Sequence, residues 1–329
     1  MELKNKKVLV TGGLGAVGSN LIRKLVETYQ CEVIVVDDLS SGYDGLGEWK
    51  QANVLFNQIS ILDDEAMKNL FIHNDIDIIF HFATLSSNQK SINKPNEDLM
   101  VNGIGTLKML QYATEYGIEK FVFASTSRVY GDTDTENKED DKIDPDTPHA
   151  MTKLLGEEYC KFFYYYYGLN TIVLRIFNCY GPWDKPVKNK GVIPNFFKSA
   201  LNKRLLTIYG TGEETRSYIY MEDAIEMIIK AVMSRDAIGE VINIGSDNET
   251  KTIDLANKIN SLCCNQADNI TYIIGKSWDT IKKRKANLDK AQKILNYKPR
   301  IGLDEGLRKT YDWFIQHPEV WQDKERENK

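Results

Sequence analysis

The 329-residue sequence predicts an α/β protein with a doubly wound parallel sheet and a smaller C-terminal lobe. Short apolar runs alternate with helix-periodic runs over the first half of the chain. This pattern is typical of parallel strands joined by helices on both faces of a sheet. From residue 177 onward the alternation breaks, and prolines and glycines become frequent. The change predicts a second lobe with more irregular structure.

The elements of the first half are short and evenly spaced. The predicted strands are 8–10, 32–36, 54–61, 76–82, 121–124 and 171–176, and the predicted helices are 17–26, 63–74, 96–116 and 150–167. The run 76–82 is almost wholly apolar, as expected of a strand that is covered on both faces. Polar or acidic loops are predicted at 84–95 and 137–148.

The second half of the chain lacks this regular alternation of strands and helices. Helices are predicted at about 194–202, 221–234 and 254–262, strands at 206–209, 240–244 and 270–274, and two further helices toward residue 317. The strand at 240–244 and the helix before it are expected to return to the main sheet. The predicted domains are 1–176 with return segments at about 219–246, a substrate lobe of 177–218 and 247–317, and a charged tail at 318–329.

The first predicted strand runs into a glycine-rich turn, and a helix follows at once. Gly12 suits a tight turn, Gly15 leaves the backbone open to a pyrophosphate, and Gly18 lets the helix pack closely on the strand. Ala16 and Val17 begin the helix, whose N-terminal N–H groups favour phosphate.

The second predicted strand ends in two acidic residues, Asp37 and Asp38. Asp37 follows the glycine turn by about 20 residues, the spacing at which a carboxylate holds a ribose 2′-hydroxyl and repels a 2′-phosphate. The turn and the carboxylate together predict a Rossmann-like domain that binds NAD.

Bulk composition argues against several classes of protein. The net charge is −5 without a dominant basic cluster, which argues against nucleic-acid binding. The four histidines are scattered and the five cysteines lack ligand spacing, so no metal site is predicted and reduced thiols in the cytoplasm are expected. No apolar run reaches about 18 residues, so no membrane span is predicted. The first residues of the chain also lack an apolar run, so no signal region is predicted there.

Further motifs follow the glycine turn in a fixed order. They lie at 11–18, 37–42, 81–83, 102–106, 125–131, 175–182 and 209–216. These segments resemble the extended short-chain dehydrogenase/reductases, specifically the NAD-dependent sugar-nucleotide epimerases and dehydratases. The resemblance implies NAD as cofactor, a nucleotide-sugar substrate, and oxidation at a sugar carbon, usually C4.

The resemblance also implies roles for individual residues. It places Ser60, Ile61, Phe82, Ala83 and Lys153 at the cofactor. It places Asn178, Val192, Arg216 and Arg284 at the substrate, and the two arginines suit a diphosphate. The helix that carries Lys153 is similar to the dimer helix of the family. A homodimer through a four-helix bundle, or a larger homo-oligomer, is therefore implied.

The catalytic stretch departs from the family at one position. The family uses a tyrosine, four residues before the lysine, as acid and base, and a serine or threonine hydroxyl that bonds the same sugar oxygen. Thr126 and Lys153 match, but His149 stands where the tyrosine is expected. Three interpretations are open: His149 is the base; His149 fills space while substrate or water handles the proton; or the protein only binds NAD and a sugar nucleotide. An engineered substitution is a further explanation.

A second departure narrows the reaction. The 4,6-dehydratases of the family carry an Asp-Glu pair after the threonine, and the sugar-acid decarboxylases carry a glutamate at the second of these positions. Ser127 and Arg128 stand there in this chain. A 4-dehydrogenase or 4-epimerase is therefore favoured, which the resemblance connects with cell-surface polysaccharide biosynthesis. A catalytically impaired binding protein is the alternative.

Overall fold

A computed structural model describes residues 2–40, 53–187, 191–266, 269–275, 278–279 and 281–322. The described strands are β1 (Lys7–Thr11), β2 (Glu32–Val36), β3 (Val54–Asn57), β4 (Ile78–His81), β5 (Lys120–Thr126), β6 (Thr171–Ile176), β7 (Asn178–Tyr180), β8 (Leu206–Tyr209), β9 (Thr215–Arg216), β10 (Tyr218–Tyr220), β11 (Val241–Ile244), β12 (Thr250–Lys251), β13 (Ile270–Ile273) and β14 (Lys283–Arg284). Seven of them form a central sheet in the order β3-β2-β1-β4-β5-β6-β11. Every pairing in this sheet is parallel.

Apolar side chains cover both faces of the central sheet. Along β1, Val8 and Val10 belong to one buried cluster, whereas Leu9 belongs to a second cluster on the opposite face. This alternation follows from the two-residue period of a strand. The predicted α/β fold with a doubly wound parallel sheet is confirmed.

Helices pack on both sides of this sheet and build much of the second lobe. They are α1 (Ala16–Glu27), α2 (Asp64–Ile72), α3 (Asn88–Asn93), α4 (Pro95–Asp98), α5 (Gly105–Glu115), α6 (Pro148–Tyr167), α7 (Val192–Leu201), α8 (Met221–Met233), α9 (Thr252–Leu262), α10 (Asp289–Leu295), α11 (Leu303–Gln316) and α12 (Pro318–Trp321). A π-helical segment, Leu99–Ile104, connects α4 to α5. Three small sheets lie outside the central sheet, in the orders β10-β7, β12-β9-β14 and β13-β8.

The helix α6 carries two residues of the predicted catalytic stretch, and its first turn is well defined. Thr147 caps the helix, because its hydroxyl accepts a hydrogen bond from the backbone N–H of Ala150. Pro148 occupies the first turn, where the missing N–H costs nothing. The last helical residue, Tyr167, is followed by Gly168, which has a left-handed φ of +69° and ends the helix. These signals fix where the helix begins, and therefore which side chains its first turn presents.

Three predictions about local structure were wrong. The strand predicted at 54–61 ends at Asn57, because the backbone then turns and the N–H of Ile59 bonds the carbonyl of Asn57. The loop predicted at 84–95 contains α3, which Ser87 caps. The first part of the tail predicted at 318–329 forms α12, where the indole of Trp321 donates to a backbone carbonyl of α11. The rest of the tail, 323–329, lies outside the described residues.

Two features are absent from the described residues. No described helix combines the length and apolar character needed to cross a membrane. Within the same part of the chain, no group of three or more His, Cys, Asp or Glu side chains is arranged to hold a metal ion.

Candidate active site

A cavity of about 370 Å³ opens at the carboxyl edge of the central sheet. Ligands of open parallel sheets bind at this edge. The residues predicted at the cofactor all line this cavity: Gly12, Gly15, Ala16, Val17, Gly18, Asp37, Asp38, Ser60, Ile61, Phe82, Ala83 and Lys153. We call it the main cavity.

The glycine turn leaves open space for a ligand on one side. Gly12 has a φ of +66°, and a Cβ there would lie 2.5 Å from the backbone nitrogen of Ala83. A Cβ on Gly18 would lie 2.6 Å from the carbonyl oxygen of Gly12. A Cβ on Gly15 would meet that oxygen at 3.2 Å and, apart from its neighbours along the chain, no other heavy atom of the described residues within 4 Å. Because Gly15 is also the N-cap of α1, this space adjoins helix N–H groups that lack intrahelical acceptors. The arrangement fits a dinucleotide phosphate.

Asp37 is buried at the end of β2, and both of its carboxylate oxygens accept backbone hydrogen bonds. Oδ2 accepts from the N–H of Leu14 and Oδ1 from the N–H of Leu39, each at 2.9 Å. Burial raises the pKa of the carboxyl, and the two N–H donors oppose that rise. A carboxylate fixed in this way beside the glycine turn fits the ribose of NAD. Asp38 is exposed, and its Oδ1 accepts from the N–H of Ser40.

The Ser60 hydroxyl is hydrogen-bonded within its own loop, whereas the Asp37 carboxylate is held beside the glycine turn. Its hydroxyl accepts a hydrogen bond from the N–H of Leu62 at 3.2 Å, so it supports a local turn. Its carbonyl accepts from the N–H of Asp63, which leads into α2. Ser60 therefore lines the main cavity while its hydroxyl is engaged with the backbone of its own loop.

Lys153 is buried on α6 below the end of β5. Its Nζ donates to the carbonyl oxygen of Ala124 at 2.8 Å and lies 4.8 Å from the centre of the Phe123 ring. Burial lowers the pKa of Lys153 to about 8, and the nearby Asp98 opposes that change. The side chain is therefore held in one place and is cationic at neutral pH.

His149 lies one helical turn before Lys153, so the two side chains share a face of α6. The residue is 6% exposed and lines both the main cavity and a smaller cavity of about 220 Å³. Thr126 lines the same two cavities from the end of β5. Its Oγ1 accepts a hydrogen bond from the N–H of Arg128 at 3.2 Å. The structure thus brings Thr126, His149 and Lys153 together around the main cavity.

A buried polar cluster that the sequence analysis missed lies beside His149. Asp98 Oδ1, at the end of α4, lies 3.9 Å from His149 Nδ1. The Nδ2 atom of Asn102 donates to Asp98 Oδ1 at 2.9 Å and lies 3.4 Å from His149 Nδ1. The hydroxyl of Thr152 donates to Asp98 Oδ2 at 2.6 Å. The available signal was the i, i+4 spacing of Asp98 and Asn102 within a predicted helix.

A third cavity, of about 470 Å³, lies in the second lobe. The residues predicted at the substrate, Asn178, Val192, Arg216 and Arg284, all line it. His149 lines both the small cavity and the main cavity, and Arg284 lines both the small cavity and this third cavity. Asn178 lines all three. The three cavities therefore form one cleft, with the small cavity between the two larger ones.

Arg284 enters this cleft without a complete set of protein partners. It is buried, and its Nε and Nη2 atoms have no hydrogen-bond partner among the described residues. Burial and the charges of Arg216 and Arg128 lower its pKa to about 9. A buried guanidinium of this kind is costly unless an anion joins it. Arg284 therefore suits the phosphate of a ligand.

The two neighbouring arginines are already engaged. Arg216 donates to two backbone carbonyls at 2.8 Å. Arg128 binds both carboxylate oxygens of Asp146, at 2.8 and 2.9 Å. Asp279 lies 3.2 Å from Arg128 Nη1 and 3.9 Å from Arg216 Nη2. Much of the positive charge of these two arginines is therefore balanced within the protein.

Known proteins are similar to this chain in both sequence and fold. A model of the NAD dependent epimerase/dehydratase family matches residues 8–245. The chain is 34% identical over 319 residues to a UDP-N-acetyl-α-D-glucosaminuronate decarboxylase of Bacillus cytotoxicus, a match that covers 94% of this chain and 98% of that protein.

Two solved structures are also similar to the chain. An epimerase of Methanothermobacter thermautotrophicus has a TM-score of 0.91 and 40% identity, with 97% of this chain and 94% of that chain covered. The UDP-glucose 4-epimerase of Thermotoga maritima, solved with UDP-glucose, has a TM-score of 0.89 and 32% identity, with 94% and 99% covered. The chain belongs to the NAD-dependent epimerase/dehydratase family, and its cofactor is NAD.

Proposed function

We propose that this protein oxidises a nucleotide-linked sugar at C4, as a 4-epimerase or a 4-dehydrogenase, with His149 as the base. The observation that carries the proposal is the position of His149, a buried imidazole between the main cavity and the small cavity, with Thr126 lining the same two spaces. Free imidazole titrates at about pH 6.5, so a histidine can accept a proton at neutral pH.

Each residue of the trio has its own task in this reaction. His149 takes the proton of the C4 hydroxyl, directly or through one bridging water. Thr126 hydrogen-bonds the same sugar oxygen and holds it toward His149. The Lys153 ammonium disfavours a second positive charge nearby, and a base must be neutral before it accepts a proton. NAD bound in the main cavity supplies the hydride acceptor.

Arg128 separates this reaction from elimination and decarboxylation. The family resemblance implies that the members which carry out those reactions have an acidic residue at the matching position. A guanidinium keeps its proton at neutral pH, so Arg128 cannot replace a carboxyl group in proton transfer. Its ion pair with Asp146 also fixes it in place. Simple oxidation at C4, with or without return of the hydride, is the chemistry that remains. A place in polysaccharide biosynthesis in the cytoplasm is part of the same proposal and follows from the family resemblance.

A substrate panel tests the proposal. The protein and NAD are incubated with UDP-, GDP-, CDP- and dTDP-sugars, beginning with UDP-glucose, which the similar Thermotoga maritima epimerase binds in its solved structure. Reduced nicotinamide is followed by absorbance, and the sugars are separated by chromatography. A 4-epimerase gives the C4 epimer without net reduction of NAD, whereas a 4-dehydrogenase gives one reduced NAD per keto-sugar. Binding of sugar nucleotides without any product would favour the impaired binding protein instead.

We also propose a homodimer through α6. Met151, Phe162 and Tyr166 are exposed on one stripe of this helix, with Tyr165 beside them. Exposed apolar and aromatic stripes of this kind mark interaction surfaces. The double substitution Phe162→Glu and Tyr166→Glu is expected to give a monomer in light scattering, and an unchanged mass would count against this interface.

A further inference from the structure

We propose that Asp98 is a positioning residue for His149. It orients the imidazole through Nδ1, and it supplies the negative charge that balances the imidazolium formed when Nε2 accepts the proton of the sugar hydroxyl. The inference rests on the proposed role of His149 as the base. It gives the site a carboxylate–imidazole pair in place of the tyrosine that the family uses.

The carboxylate and the imidazole are close neighbours. Asp98 Oδ1 lies 3.9 Å from His149 Nδ1, and both side chains are buried. Asn102 Nδ2, which can only donate, lies 3.4 Å from the same ring nitrogen. In the tautomer that carries its proton on Nδ1, a ring rotation that closes the gap to Asp98 by about 1 Å would let this N–H donate to the carboxylate in place of that contact. The two ring nitrogens point in different directions, so an Nδ1–H that donates to Asp98 makes Nε2 the unprotonated nitrogen of the neutral ring, which is the form that accepts a proton.

Neighbouring side chains fix the carboxylate from both sides. The hydroxyl of Thr152 donates to Asp98 Oδ2, and the amide nitrogen of Asn102 donates to Asp98 Oδ1. The amide of Asn102 is itself oriented, because its Oδ1 accepts hydrogen bonds from the N–H of Leu85 and the hydroxyl of Thr84, each at 2.9 Å. Its nitrogen must therefore face the carboxylate. The acceptor atoms of Asp98 are held in place before any proton moves.

The backbone next to Asp98 departs from a regular helix. The π-helical segment Leu99–Ile104 begins directly after this residue. Such segments are rare and occur frequently at functional sites. Burial also raises the pKa of Asp98, which means that the fold gives up stability to keep a carboxyl group there. Both features are expected of a group that is retained for function.

Charged groups face His149 from several elements. Asp98 approaches from the end of α4 and Lys153 from the next turn of α6, while Arg128 and Arg284 line the small cavity. The three cations disfavour an imidazolium, whereas the carboxylate favours it. Without Asp98, His149 would be a weaker base. Loss of its charge is therefore expected to lower the pH at which the imidazole titrates.

A histidine titration by NMR tests this expectation without knowledge of the sugar. The sequence contains four histidines, so protein labelled with ¹³C-histidine and saturated with NAD gives a simple spectrum. The variant His149→Phe assigns the signal of His149. In Asp98→Asn the midpoint of that signal is expected to fall by about one pH unit or more. In Asp98→Glu, which keeps the negative charge, the midpoint is expected to lie between those of Asp98→Asn and the wild type.

Two further variants make the test specific. Asp223 is another buried carboxyl group, which accepts a hydrogen bond from the hydroxyl of Tyr297 at 2.6 Å. Asp223→Asn is the matched control and is expected to leave the midpoint unchanged. Thr152→Val removes one donor that holds the carboxylate of Asp98 in place, and is expected to move the midpoint by less than Asp98→Asn does. It replaces Asp98→Asn if that variant does not fold.

An unchanged midpoint in Asp98→Asn, or in Thr152→Val where it stands in, would overturn the proposal. An equal shift in Asp223→Asn would also overturn it, because the effect would then not belong to the pair. The turnover of His149→Phe is a separate readout. It decides whether His149 is the base, whereas the midpoint decides whether Asp98 controls protonation of the imidazole.

Discussion

Lys153 Nζ donates a hydrogen bond to the carbonyl oxygen of Ala124 at 2.8 Å. This contact ties the first half of α6, which carries His149, to the end of β5, which carries Thr126. The ammonium is buried, and burial lowers its pKa to about 8, so the charged form costs folding free energy. The residue is therefore placed for the chemistry of the site at some expense of stability.

The substitution Lys153→Met is expected to abolish turnover and to stabilise the NAD-free protein at neutral pH. Below pH 8 the wild-type fold carries a buried ammonium, and the substitution removes that cost. Between about pH 8 and 10.5 the unfolded chain binds more protons at Lys153 than the folded chain does, so wild-type stability rises with pH. The advantage of the variant should shrink over this window. Chemical denaturation at about pH 7 and about pH 9.5 measures the two free energies of unfolding. An equal loss of stability at both pH values would contradict the expectation.

The substitution Asp37→Ala is expected to weaken NAD binding by about tenfold or more and to reduce the preference for NAD over NADP. The buried carboxylate is held by two backbone N–H groups, in a position that fits a ribose hydroxyl and repels a 2′-phosphate. Calorimetric titration with both cofactors measures the effect. Asp38→Ala should cost less, because that side chain is exposed. Equal NAD affinities for Asp37→Ala and the wild type would show that Asp37 does not contribute to cofactor binding.

The substitution Arg284→Met is expected to separate ligand binding from stability. UDP affinity should fall by roughly ten- to a hundredfold, because charge-assisted hydrogen bonds to phosphate are lost. The ligand-free protein should nevertheless melt at a higher temperature, since a buried guanidinium with unpaired Nε and Nη2 atoms is removed. Arg216→Met is the control and should bring no such gain, because that guanidinium already donates to backbone carbonyls. A less stable Arg284→Met protein that binds UDP normally would assign Arg284 a structural role.

Much of the fold and part of the site could be predicted because the signals are local. The turn from Gly12 to Gly18 and the carboxylate of Asp37 each lie in one short stretch, with a strand and a helix around them. His149 and Lys153 are four positions apart on one helix, so their shared face follows from helix geometry.

The parts that could not be predicted depend on contacts between distant segments. Asp98 and Thr152 are 54 positions apart, and the π-helical segment that follows Asp98 leaves no mark on hydrophobic periodicity. The small helix α3 was also missed, because its polar sequence lacks an apolar stripe and it is defined by the Ser87 cap. In the same way, the partners of Arg284 depend on the arrangement of the second lobe.

Single-turnover reduction of NAD tests the role of His149 most directly. Wild type, His149→Phe and His149→Tyr are mixed with NAD and the sugar nucleotide that the panel identifies, and reduced nicotinamide is followed by stopped flow over a range of pH. Loss of a general base typically costs about a hundredfold or more in rate, so His149→Phe should be slower by that factor and lose the wild-type pH dependence. His149→Tyr, which restores the residue used by the family, should stay within about tenfold of the wild type, with a different pH profile. Reduction by His149→Phe at the wild-type rate, with the same pH profile, would show that His149 is not the base.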